Sequence, residues 1–168
     1  MLREAEPKDA EGIGQVRVAA WRAAYQQFMP EEFLKALDPA KNIDELEERI
    51  SRQSSDFIVS VAEENGGVVG FSIVGKPRYE AAATAIELWA VNVLPEYWRL
   101  GIGSGLVERA ITFASHSGFE SIELWCIKGN IPAQEAYKTL GFTESGQERS
   151  SSQLTGNTLH ERHYVKVL

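Results

Sequence analysis

The sequence contains one cysteine, Cys126, in 168 residues. A single thiol cannot build an internal disulfide framework or a cysteine zinc cluster, and it points to a reducing compartment. The three histidines, His116, His160 and His163, are scattered and lie apart from that cysteine, so no metal site is expected. No run of about 18 apolar residues occurs, so no membrane span is expected. Met1 leads directly into Leu2-Arg3-Glu4-Ala5-Glu6 without a signal-type apolar stretch, and the expected location is cytoplasmic. Basic residues are outnumbered, Lys+Arg 17 against Asp+Glu 24, for a net charge of −7. A general nucleic-acid binder needs the opposite balance to displace counterions. The acidity leans instead toward a cationic small-molecule partner. No internal repeat and no dividing linker stand out.

What is present has globular proportions, 43% hydrophobic and 24% charged residues. The length suits one domain over residues 1–168 with a core of its own. Met1–Ala5 reads as a short strand. Asp9 is placed to cap a helix in which Ile13, Val16, Ala20, Ala24 and Phe28 recur at helical spacing before Pro30. Phe33, Leu34 and Leu37 suggest a second short helix. Asn42 with Glu45 has capping-box spacing for a third. From Phe57 the texture changes to strands: 57–62, then 68–74 after the hairpin signal Asn65-Gly66-Gly67, then 85–93. A helix follows the glycines at 101–105, then a buried strand at 122–127 and a helix over 133–140 ended by Gly141. Two last strands, 143–148 and 159–167, flank a polar loop. This order predicts an α/β domain with helices covering a mixed, mostly antiparallel sheet.

Two glycine patterns suggest phosphate chemistry. Gly70 to Lys76 has the spacing G-x-x-x-x-G-K, but its interior is Phe-Ser-Ile-Val and Pro77 stands where a hydroxyl should hold magnesium. It reads as a strand entering a turn. The second pattern, Arg99-Leu100-Gly101-Ile102-Gly103-Ser104-Gly105, lies between the end of a strand and the start of a helix. Amides in such a turn have no helical partners and converge with the helix dipole on one anion. A dinucleotide fold would want a third glycine where Leu106 stands, which disfavours NAD.

Trp98-Arg99-Leu100-Gly101-Ile102-Gly103 resembles the pyrophosphate motif Q/R-x-x-G-x-G/A of the GNAT superfamily of N-acetyltransferases. About thirty residues on, Asn130-Ile-Pro-Ala133-Gln-Glu-Ala136-Tyr137-Lys-Thr-Leu140-Gly141-Phe142 is similar to its second signature, N-x-x-A-x-x-x-Y-x-x-x-G-F. The resemblance covers nearly the whole chain. It implies the GNAT fold, a central sheet splayed between strands 4 and 5 with flanking helices, with acetyl-CoA as co-substrate in the gap. By that resemblance, main-chain groups of Val91 and Val93 meet the pantetheine arm. Arg99, Leu100, Gly101, Ile102, Gly103 and Ser104 hold the pyrophosphate, and Asn130 contacts the arm from the other side. Trp98 departs from the usual Gln or Arg, so only the backbone cradle carries over at that point.

The implied reaction sets its own demands. An alkyl ammonium is neutral in only about one molecule in two thousand at pH 7, so a base must take its proton. Glu87, fourteen residues before Gly101, stands where several members of the superfamily place a catalytic glutamate. The leaving thiolate needs an acid, and Tyr137 occupies the family position for it. Strand amides near Val91 would receive the oxyanion. Trp21, Tyr25 and Phe28 recur at i, i+4, i+7, and the resemblance makes Trp21 and Tyr25 a wall of the acceptor pocket. His160 and His163 are candidates for the same side. The resulting expectation is direct acetyl transfer to a small amine or peptide. A non-catalytic acyl-CoA sensor of the same fold is the alternative. Dimers are common in the family, though no residue here demands one.

Overall fold

A computed structural model describes residues 1–168. Its elements run β1 (Leu2–Glu4), α1 (Ala10–Ala24), α2 (Glu31–Lys35), α3 (Ile43–Ser51), β2 (Ile58–Glu64), β3 (Gly67–Gly75), β4 (Ala85–Val93), α4 (Ile102–His116), β5 (Ser121–Ile127), α5 (Ile131–Thr139), β6 (Thr143–Ser151) and β7 (Leu159–Val167). The strands form one seven-stranded sheet in the order β1-β2-β3-β4-β5-β7-β6. Asn65 and Gly66 both have positive φ, 51° and 79°, the conformation a two-residue turn needs to match strand twist in the β2–β3 hairpin. The segment with phosphate-loop spacing lies in β3 and the turn after it. No helix is long and apolar enough to cross a membrane.

Side-chain alternation gives the sheet two apolar faces. Ile86, Leu88, Ile122, Leu124, Cys126 and Tyr164 pack with Val107, Ala110 and Ala114 of α4. On the opposite face Val59, Val61 and Phe71 meet Ile13 and Val16 of α1 and Ile50 of α3. A third cluster, Met29, Leu34 and Leu159 with Trp21, Tyr25, Phe28 and Ile127, joins the end of α1 to the last strand. Gly14 brings α1 close to the loop before α3, because a Cβ there would collide with the Pro39 carbonyl oxygen.

β4 and β5 are the parallel pair, linked by the α4 crossover. They pair only at Ala85–Ser121, Ile86–Ile122 and Glu87–Glu123. Beyond that point β4 stays with β3 as far as Val93 and β5 stays with β7 as far as Ile127, so a wedge opens between them. The cause lies in β4. Ala90 pairs with Ile73 and Leu88 with Val74, leaving Trp89 as an extra residue, and such a bulge bends and twists its strand. Gly75 makes room for this, since a Cβ there would clash with the Trp89 ring. The indole N–H then donates to the Lys76 carbonyl at 3.0 Å.

Several local expectations are corrected. α1 stops at Ala24 instead of reaching Phe28, because the Phe28 and Met29 amides both turn back to the Tyr25 carbonyl. Pro30 also disfavours helix at the residue before it. Asp9 precedes α1 but does not cap it. Its carboxylate takes two hydrogen bonds from Arg3, at 2.7 and 2.9 Å, and one from the Glu6 amide at 2.8 Å. Asn42 makes no side-chain cap and has φ 61°, while Glu45 pairs with Arg49. β6 runs to Ser151, with an irregularity between Glu144 and Glu148.

Arg3 also binds Glu63, so Asp9 fastens the start of α1 to β1 and β2. The Arg3 hydrogen bonds hold the Asp9 carboxyl below its ordinary range. A carboxylate depressed in the folded state stabilises at pH values above its unfolded pKa, and that contribution is lost as pH falls through the folded value. Asp9→Asn should therefore cost about 2 kcal/mol at pH 7. The difference from wild type should shrink as pH drops below about 4. Urea melts at pH 7 and pH 3 check this; an equal difference at both pH values contradicts it.

Candidate active site

The wedge has two main-chain edges. On β4, the Leu94 amide donates to the Val69 carbonyl at 2.8 Å. Hydrogen-bonding direction alternates along an antiparallel strand. Ala90 and Asn92 therefore bond to β3, whereas Val91 and Val93 turn their N–H and C=O groups toward the side β5 has left. The indole N–H of Trp98 donates to the Val93 carbonyl at 2.7 Å. The unusual tryptophan thus closes one of these groups, leaving the Val93 amide and both Val91 groups facing the wedge.

At the open end of β4 a 3-10 turn over Pro95–Tyr97 leads into the glycine segment. Arg99 has φ 65° and Gly101 φ 82°, two left-handed residues that turn the chain sharply into α4. The first helical hydrogen bond runs from the Gly105 amide to the Gly101 carbonyl, 3.0 Å, so the amides of Ile102, Gly103 and Ser104 have no main-chain acceptor. No acidic residue stands in the first turn of α4, and the exposed Arg99 makes no ion pair. Leu106, fully buried among Ala62, Val69 and Val93, fixes the helix start to the sheet. Helix dipole, free amides and an unpaired cation together fit a pyrophosphate.

Across the wedge, Asn130 lies in the turn between β5 and α5, with its main chain tied to Ile127 and Gln134, and is itself half-buried. About two turns further along α5, the Tyr137 ring packs edge-on against Phe142 and tilted against Tyr164, with centroids at 5.8 and 6.5 Å. Burial raises its phenol well above the ordinary tyrosine value, with Cys126 and Tyr25 adding to the effect. Burial also pushes the Cys126 thiol up to about 12, helped by Glu161. It moves Tyr25 up to about 12, with Cys126 and Glu161 as lesser causes. Tyr25, Cys126 and Tyr137 therefore share one desolvated region. Trp21 stacks edge-on against Tyr25 at 5.6 Å, and Phe28 lies against Gly129, where a Cβ would be 3.3 Å from its ring. The end of α1 thus closes on the β5–α5 corner.

Glu87 sits at the inner end of the wedge, 1% exposed. Both its oxygens are engaged by Arg78: Oε2 by the amide at 2.9 Å and Nε at 3.4 Å, Oε1 by a terminal guanidinium nitrogen at 3.0 Å. Arg78 in turn lies 4.9 Å from the Trp89 ring centroid. Glu123, paired with Glu87 in register, has different partners. Its Oε2 accepts the Tyr79 hydroxyl at 2.5 Å and lies 3.1 Å from His163 Nε2, while His163 Nδ1 lies 2.7 Å from the Ser145 hydroxyl. Burial and the hydrogen bond to Glu123 push the Tyr79 phenol far up, so it stays a donor. Beside this cluster Arg149 covers the Trp125 ring at 4.3 Å and bonds Glu161 at 2.9 Å.

The structure thus gathers Glu87, Val91, Val93, Tyr137, Trp21 and Tyr25 around one wedge, with the 99–104 segment at its mouth and Asn130 on its far side. Of the two strand histidines, His163 is buried in the polar cluster and His160 is exposed, bonded to Ser150. Sequence reasoning missed Tyr79, Ser145 and the partnership of Glu123. One signal was available: Ile-Glu-Leu-Trp occurs at 86–89 and again at 122–125. The two copies pair in register through Ile86–Ile122 and Glu87–Glu123.

Comparison with known proteins bears on the fold and the family. The profile of the acetyltransferase (GNAT) family matches residues 18–142. YuaI of Bacillus subtilis (strain 168), an uncharacterized N-acetyltransferase, is 32% identical over 129 residues, covering 77% of this chain and 72% of the relative. The fold is similar to that of a GNAT-family acetyltransferase from Streptococcus pneumoniae, with TM-score 0.76, 26% identity, 100% of this chain and 99% of that one covered. It is also similar to that of PaiA N-acetyltransferase from Thermoplasma acidophilum, solved in complex with coenzyme A, with TM-score 0.78, 20% identity and coverage of 100% and 98%. A family match over most of the sequence establishes that this chain belongs to the GNAT family of acetyltransferases.

Proposed function

We propose that the protein moves an acetyl group from acetyl-CoA directly to a primary amine while both are bound. The observation that carries this reading is the set of free amides at Ile102, Gly103 and Ser104, aligned with a β4 edge whose Val91 and Val93 groups face the wedge. Acetyl-CoA supplies an activated acyl group. The 99–104 segment holds its pyrophosphate, the β4 edge aligns its arm, and Asn130 borders the arm from the β5 side. The Val91 amide, facing the wedge, would be the strand donor for charge developing on the acyl oxygen.

Direct transfer is favoured over an acyl-enzyme because the only thiol is buried and raised to about 12. At pH 7 about one in 10⁵ such thiols is ionised, too few for an efficient nucleophile. Tyr137 is the acid for the leaving sulfur. Its phenol keeps its proton until a thiolate forms, and the amine nitrogen can return a proton to it as the amide forms. Trp21 and Tyr25 form the apolar wall beside the incoming amine. The chain's negative charge favours small cationic amines over anionic ones.

Gly103 has a helical φ and only Val93 near its side-chain direction, 3.8 Å from a Cβ, so Gly103→Val should fold. It should weaken CoA binding at least tenfold, about 1.4 kcal/mol, by crowding the cradle. Calorimetric titration reads this directly, and unchanged affinity places the pyrophosphate elsewhere.

Tyr137→Phe keeps the ring against Phe142 and Tyr164 and removes only the hydroxyl. Turnover, followed by thiol release, should fall by about a hundred- to ten-thousand-fold. Acetyl-CoA affinity should stay constant, because the missing interaction belongs to the transition state. Full activity would give the acid role to another group.

A further inference from the structure

Acetyl transfer to an ammonium yields an amide, a thiol and one free proton. One proton must therefore leave the amine before its lone pair can attack. Two carboxylates stand side by side at the inner end of the wedge, on the same face of the sheet. They differ in what already holds them. Glu87 is enclosed, and each of its oxygens is bonded to Arg78. Protonating it would break the ion pair of an enclosed carboxylate, although the Arg78 side chain itself is half exposed. Glu123 has both partners on Oε2, has none on Oε1, and its side chain is 13% exposed.

We propose that Glu123 is the group that takes the acceptor amine's proton, and that Tyr79, His163 and Ser145 position it. This rests on the acetyl-transfer reading above. The hydrogen-bond directions form a consistent chain. A carboxylate oxygen only accepts, so the ring proton of neutral His163 sits on Nε2, and the Ser145 hydroxyl, whose oxygen also takes the Gln147 amide at 3.1 Å, donates to Nδ1. Nε2–H is thereby donated to Glu123 Oε2 at 3.1 Å. The Tyr79 O–H donates to the same oxygen. With Oε2 doubly engaged, Oε1 is the oxygen left to receive a proton.

The fold builds this orientation at some cost in regularity. Ser145 lies in the β6 irregularity, beside Gly146 at φ 89°, and a bulge re-aims side chains in this way. Arg78 and Tyr79 are consecutive in the β3–β4 loop, and one holds Glu87 while the other holds Glu123. The remaining charged groups beside the cluster, Arg149 and Glu161, pair with each other at 2.9 Å. They leave Glu123 to its own partners.

In the proposed step the ammonium gives one proton to Glu123 Oε1, directly or through water, and its lone pair attacks the thioester carbonyl carbon. The C–N bond forms and the C–S bond breaks. The nitrogen's second proton reaches the departing sulfur by way of Tyr137, and Glu123 returns its proton to solvent.

The test compares wild type, Glu123→Gln and Glu87→Gln in turnover from pH 6 to 10 at saturating acetyl-CoA, alongside calorimetric CoA binding. Wild-type turnover on a panel of amines is read first. No turnover with any amine overturns the acetyl-transfer reading and this role with it. Given turnover, Glu123→Gln should lose about a hundredfold or more in kcat at pH 7. CoA affinity should be unchanged. The loss should shrink toward pH 10, where the amine arrives increasingly neutral. Glu87→Gln should show a loss that does not depend on pH. Wild-type kcat in Glu123→Gln, a pH-independent loss there, or the pH-dependent loss in Glu87→Gln would each overturn the role of Glu123 alone. Should Glu123→Gln fail to fold, Tyr79→Phe and Ser145→Ala replace it. Each should lower kcat several-fold most strongly at low pH, and kcat retained in both overturns the proposal.

Discussion

The candidate site of this protein is built on the parting of two parallel strands after three paired positions, the last of them Glu87 opposite Glu123. A continuous sheet would bury the Val91 and Val93 main-chain groups in a ladder and leave no room for an arm between strands. The parting exposes those groups, and an extended ligand can pair with them as a strand would. The departure is built into β4 itself: the extra residue Trp89 bends the strand, and Gly75 lets its ring lie flat across the neighbour. Burial on both faces then keeps the bent strand in place, with Leu88 on the α4 side and Ala90 on the α1 side. The anion site at the start of α4 follows from the same event, because β4 ends at the mouth of the wedge.

Charge is handled locally around that wedge. The two carboxylates at its inner end have their own partners, Arg78 for Glu87 and His163 with Tyr79 for Glu123, and Glu161, at the far end of β5, has Arg149. Two of the arginines are also stacked on tryptophans, Arg78 on Trp89 and Arg149 on Trp125, which limits their freedom. The net charge of −7 belongs to the chain as a whole.

Much of this was legible in the residues. The strand limits of β4 and β7 follow from their apolar alternation and the bounding Pro95 and Asn157. Both motifs could be placed because they combine glycine chemistry with a fixed order along the chain. What could not be read was what each polar side chain would meet. Asp9 has the look of a helix cap, but Arg3, six residues away and on a paired strand, is a stronger partner than an amide. Glu87 has the position of a base, but its bonding is decided by Arg78 in a loop with no periodic pattern. Ser145 could be found only after the β6 irregularity was seen, since a regular strand would aim it elsewhere. Trp98 was an unexplained departure in sequence and becomes a donor to Val93 in space.

The central claim is that acetyl-CoA occupies the wedge with its pyrophosphate on the α4 amides and its arm along β4. Amide hydrogen exchange with and without CoA tests this most directly. The account predicts slowed exchange at 99–104 and at Val91 and Val93, with the β2–β3 hairpin amides unaffected. Slowed exchange confined to other segments, or none at all at saturating CoA, would contradict it.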